Sequence, residues 1–153
     1  MANPRSTASI AGHPIHPMLI PFPVAFFVAT LLCDIAYIRS GDVSWATASM
    51  WLLGAGVVMA LLAAVAGLID VLGDQRIRRL QDVWLHAGGN VLLVLIQAYS
   101  WYARDTGGPN AVLPTGLVLS FIAVFLMGFT GWKGWKMVYR HHVGVSDQPG
   151  QTS

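Results

Sequence analysis

Five histidines and a few acidic and amide side chains are the groups in this chain that can do chemistry. His13 and His16 lie in Gly12-His13-Pro14-Ile15-His16-Pro17, which runs directly into an apolar stretch from Met18 to Cys33. Imidazoles at such a position can bind a metal or haem iron, shuttle protons, or simply anchor the chain at a membrane interface. His86 lies about one turn inside a later apolar stretch, and Asn90, four residues on, shares its helical face. Gly88 and Gly89 between them leave room beside the ring. Asp70 ends another apolar stretch. A carboxylate there can fix the tautomer of an imidazole, or it can pair with Arg76 or cap a helix. His141 and His142 follow Arg140 near the chain's end and read as a solvated tail unless that tail folds back. Asp34 and Arg104 fall toward the opposite ends of their stretches. They read as structural, with Asp34 needing Arg104 or Arg39 as a partner, because a lone charge at membrane depth is costly.

The elements that must position these groups are membrane spans. Of the 153 residues, 55% are hydrophobic and only 10% charged, well below the roughly 25% charged of soluble domains. Four stretches are long enough to cross a ~30 Å hydrocarbon core as helices. They predict an all-α membrane protein with spans at about 14–38, 46–71, 82–103 and 111–139. Short connections favour an up-down-up-down antiparallel bundle. Residues 1–12 read as a polar N-terminal tail without the apolar core of a signal peptide, and residues 143–153 as a flexible C-terminal tail.

Topology follows from charge. Arg5, Arg76, Arg78, Arg79, Lys133, Lys136 and Arg140 share one side, against Arg39 and Arg104 on the other, so the positive-inside rule places both termini in the cytoplasm. Trp84, Trp132 and Trp135 form one aromatic belt, and Trp45, Trp51 and Trp101 the other. Pro17, Pro21 and Pro23 each remove an amide donor, so the start of span one should bend. Ala60, Ala63, Ala64 and Gly67, and Gly128, Gly131 and Gly134, mark close helix contacts or room for a flat cofactor. No internal repeat is visible. The midplane carries almost no polar group, which disfavours a stand-alone transporter.

Every candidate imidazole therefore falls at one edge of the bundle. The leading expectation is a haem b protein of electron transfer, with His16 and His86 as axial ligands and His13 or His141 as substitutes. Arg76, Arg78 or Arg79 would pair the propionates, and Asp70 and Asn90 would orient the ligands. The alternatives are a transition-metal site for Zn, Fe or Cu on the same four histidines, or a structural or assembly subunit without cofactor. Cys33, the single cysteine, is expected only to pack. The absence of Cys-x-x-Cys-His excludes covalent haem attachment. No nucleophile stands beside a histidine, so a redox or binding role is favoured over stand-alone catalysis. Expected partners are the lipid bilayer, a quinone or an iron–sulfur or cytochrome redox protein, and a second copy of the chain, with no nucleic acid.

Four motifs, GHPIHPMLIPFPVAFF, GLID, LHAGGN and GWKGWKMVYRHHVGV, carry a resemblance over nearly the whole chain, from Gly12 to Val145. Together they resemble the prokaryotic integral membrane family catalogued as domain of unknown function 2231. The resemblance implies a four-span protein of the prokaryotic cell (inner) membrane. Some members are fused to Rieske-type iron–sulfur domains, which points by analogy toward electron transfer. His13, His16, Asp70, His86, Asn90 and His141 fall on the family's motif positions, whereas His142 stands where relatives often carry glycine.

Overall fold

The computed structural model describes residues 3–145. Its N-terminal segment is ordered on the bundle rather than trailing as a tail. Strands β1 (Ser9–Ile10) and β2 (His13–Pro14) pair antiparallel. Ala11 and Gly12 connect them with positive φ at both turn positions, the geometry that suits a tight hairpin.

Span one is two helices, α1 (Ile15–Leu19) and α2 (Pro21–Ser40). The break falls where Pro21 lacks the N–H that would continue the ladder. Gly41 ends α2 in the left-handed region, its N–H bonded to Tyr37 O at 2.8 Å. Asp42 caps α3 (Val43–Gly73), its carboxylate accepting from Ser44 N at 2.9 Å. The four-residue α4 (Gln75–Arg78) carries Arg76 and Arg78 of the middle loop, is followed by Arg79, and leads into α5 (Gln81–Gly107). A 3-10 turn (Gly108–Val112) and α6 (Thr115–Tyr139) complete the chain.

All four spans are long and apolar enough to cross a membrane. The molecule is inverted relative to a soluble bundle: Trp51, Val65, Leu95 and Phe125 are exposed on its outer surface, where lipid tails would lie. Charge placement alone predicts that span three ends before Arg104. In the structure α5 runs on to Gly107, because Arg104 finds a counter-charge inside the bundle and need not reach water.

Helices α2 and α3 form one packed hairpin, α5 and α6 another, and α2–α6 and α3–α5 contacts close the ring. Phe27, Leu53, Val57, Leu93 and Ala123 form the apolar centre. The two hairpins repeat one another, which the sequence pattern does not reveal. The buried positions Pro23, Phe27, Thr30 and Asp34 of α2 recur in α5 as Leu93, Gln97, Ser100 and Arg104, at a constant separation of 70 residues. His16 and His86 obey the same separation. Ser49, Leu53, Gly56 and Ala63 of α3 likewise recur in α6 as Gly116, Ser120, Ala123 and Thr130, and Gly67 as Gly134. Burial register is kept while residue type, His16/His86 and Gly67/Gly134 apart, mostly is not, so composition conceals the duplication. An approximate two-fold axis runs along the bundle.

Candidate functional site: a pair of imidazoles on the bundle axis

At one end, here the histidine end, the chain brings His16 and His86 together from diagonally placed spans. Their ring centroids lie 6.1 Å apart with planes at 82°. Both rings are oriented in the same way. His16 Nδ1 meets Ala63 O of α3 at 2.7 Å, and His86 Nδ1 meets Thr130 O of α6 at 2.8 Å. A carbonyl can only accept, so each Nδ1 carries the proton and each Nε2 is left with its lone pair. This is the arrangement by which proteins set a ligating histidine.

The glycines explain how an imidazole reaches a carbonyl already used in a helix. Gly67 and Gly134 lie one turn beyond Ala63 and Thr130, where a side chain would cover that carbonyl. A Cβ on Gly67 would stand 3.0 Å from His16 Nδ1, and one on Gly134 would stand 3.2 Å from His86 Cε1. Gly131, by contrast, faces open space. Gly67→Ala and Gly134→Ala are therefore expected to push the rings off their carbonyls. Gly131→Ala should gain the helix propensity of alanine, up to about 1 kcal/mol. Thermal unfolding of the three variants in one detergent checks this, and equal melting temperatures would contradict it.

Asn90 sits beside His86, its Nδ2 3.2 Å from His86 Nε2 and 2.9 Å from His86 O. The other expected participants lie elsewhere. His13 is exposed and turned back on its own hairpin, Nδ1 to Ala11 O at 3.0 Å. His141 lies beyond the end of α6 near Asp82, Nε2 to Oδ2 at 3.4 Å. Lys133 holds the other oxygen of that carboxylate at 2.8 Å. His142 is exposed with φ of 53°. Arg76 pairs with Asp74 at 2.7 Å, and its hydrogen bonds hold the Asp74 carboxyl at about 2. Arg78 and Arg79 are exposed at the same end.

Asp70 bonds to no imidazole. It accepts from Ser6 Oγ at 2.8 Å and Ala8 N at 2.7 Å, with Thr7 Oγ1 at 3.4 Å. The sequence alone could not show that the N-terminal segment folds back onto α3. This carboxylate clamps the hairpin that leads into α1, and so indirectly sets where His16 enters the bundle. Asp70→Asn should weaken these charge-assisted bonds and raise amide exchange at Ala8 by roughly tenfold. Unchanged exchange there would show that the hairpin is held by other means.

The opposite end, here the ion-pair end, holds the second buried polar centre. Arg104 Nη1 and Nη2 meet Asp34 Oδ1 and Oδ2 at 2.5 and 2.8 Å. Arg104 is 2% and Asp34 0% exposed. Ser49 Oγ and Ser120 Oγ donate to the two carboxylate oxygens at 2.6 and 2.7 Å, and Ser100 and Ser49 also contact the guanidinium. Asp34, Ser49, Arg104 and Ser120 come from all four spans, so the pair ties the bundle together. A Cβ at Gly116 would lie 3.0 Å from Arg104 Nη2, so glycine there leaves the guanidinium its space. The three serines are missed by pattern reading because one small hydroxyl barely changes the hydropathy of a span and its inward direction is set only by packing. Cys33 is buried beside this centre in sequence and is a free thiol.

Fold and polar interior together define a four-span integral membrane bundle with an imidazole pair at one end and a buried ion pair at the other. The family model described as "Predicted membrane protein (DUF2231)" matches residues 12–147, and the chain belongs to that family. No curated protein and no solved structure matches the chain.

Proposed function

We propose that the protein is a haem b-binding electron-transfer protein in which His16 and His86 are the two axial ligands. The observation that carries this reading is the pair itself: two imidazoles from separate spans, 6.1 Å between centroids, each fixed through Nδ1. A metal–nitrogen bond of about 2 Å on either side of one iron sets two opposed imidazole centroids roughly 6 Å apart. The ligand count favours haem over a bare ion. Among the described residues no group of three or more histidine, cysteine, aspartate or glutamate side chains converges. A zinc site needs three or four protein ligands, whereas a porphyrin supplies four nitrogens itself and asks the protein for two.

A haem held there exchanges one electron between ferric and ferrous iron. The chain's own residues do the rest. Ala63 O and Thr130 O keep the protons on Nδ1 and so keep both Nε2 atoms basic. Nε2 of His86, now beside the Asn90 amide, would be the atom that holds the iron, and the bond of Asn90 to His86 O would keep that amide alongside. Arg78 and Arg79, exposed at this end, supply guanidinium groups for the propionates. The positive-inside bias supports placing the histidine end and both termini in the cytoplasm of a prokaryotic cell, in its inner membrane. A quinone or an iron–sulfur or cytochrome partner suits such a carrier.

Titrating the purified protein with haem tests the proposal. A Soret shift that saturates at one equivalent supports it, and a protein whose added haem keeps the spectrum of free haem refutes it.

A further inference from the structure

Gln97 is the anomaly of the interior. It is 0% exposed, and neither its Nε2 nor its Oε1 has a hydrogen-bond partner among the described residues. It lies near the middle of α5, within the membrane's hydrocarbon depth. An amide buried with both ends unpaired costs several kcal/mol in such surroundings, and native interiors satisfy nearly all such groups. Where protein atoms do not do so, bound water does.

The surroundings favour water. Ser100 and Arg104 follow Gln97 by one and two turns on the same face of α5, and both belong to the polar centre around Asp34. Beyond Arg104 a cavity of about 60 Å³ is lined by Ala46, Thr47, Met50, Arg104, Gly108 and Pro109. That volume holds water where polar groups face it. In the other direction the polar face stops: Leu93, one turn toward the histidines, is buried in the apolar cluster with Phe27, Leu53 and Val57.

We propose that the bundle binds water at Gln97, at the inner limit of the polar face of α5 that runs from Arg104 and stops at Leu93. Water bound there donates to Gln97 Oε1 and accepts from Nε2, so it satisfies both orphaned atoms. The apolar layer at Leu93 separates this water from the imidazole pair. The inference rests on the Gln97 amide and stands whether or not haem binds at the other end.

Water-edited solid-state NMR of the unsubstituted protein in lipid nanodiscs tests it. Early magnetisation transfer from water to the Gln97 side-chain amide is expected, and transfer as slow as that to Leu53 would refute the proposal.

Discussion

Arg104→Leu is expected to destabilise the bundle by about 3–5 kcal/mol, the cost of leaving a buried charge without its partner. The geometry makes this one of the largest single-residue effects in the molecule. Asp34 is fully buried and receives both terminal nitrogens of the guanidinium and two serine hydroxyls. Without Arg104 the carboxylate must either take up a proton or stay charged in a low-dielectric interior, and both are costly. Removing both charges is a different matter, because the desolvation cost of the pair disappears with them. Asp34→Leu/Arg104→Leu should therefore recover a substantial part of the stability lost by either single change. Melting in detergent, followed by the fluorescence of the six tryptophans, measures all three variants. Additive losses in the double variant would mean that the two residues contribute independently rather than as a pair.

The second large effect concerns the imidazoles. His16→Ala and His86→Ala should each lower haem affinity at least about 100-fold. The losses should be similar, since the two rings occupy equivalent positions in the duplicated hairpins and hang on equivalent carbonyls. His13→Ala and His141→Ala should leave affinity within about threefold of the parent. One is tied to its own turn and the other to Asp82, and neither faces the pair. Haem titrations of the four variants separate the pair from the bystanders. A loss at His13 or His141 as large as that at His86 would mean that a different set of histidines holds the iron.

The four spans are legible in the sequence because length and hydropathy alone decide whether a helix can cross a bilayer. The proximity of Asn90 to His86 is legible because helical spacing dictates it. The need of Asp34 for a cation is legible from the cost of a lone charge, but two arginines compete for it, and only packing singles out Arg104. Other features depend on three-dimensional register. The duplication hides because Phe27 has Gln97 as its counterpart and Asp34 has Arg104, so identity survives at His16/His86 and Gly67/Gly134 but is lost at most buried positions between them. Gln97 itself corrects the reading of an apolar midplane. One amide barely lowers the hydropathy of a whole span, yet among the described residues it is the buried side chain left with both polar atoms unpaired. Asp70 is misread as a partner of imidazole because its true partners, Ser6 and Ala8, come from a segment whose return path no local pattern encodes. Gly67 and Gly134 read as packing residues. Their further effect, uncovering a carbonyl for a ring on the next helix, appears only once the rings are in place.

The ligation state of the haem-loaded protein decides whether His16 and His86 hold the iron together. Two axial imidazoles make ferric haem six-coordinate and low-spin, and electron paramagnetic resonance of the purified protein beside its His86→Ala variant reads this out. A low-spin signal is expected in the parent and is lost in the variant. A parent that binds no haem, or a low-spin signal unchanged by His86→Ala, would contradict it.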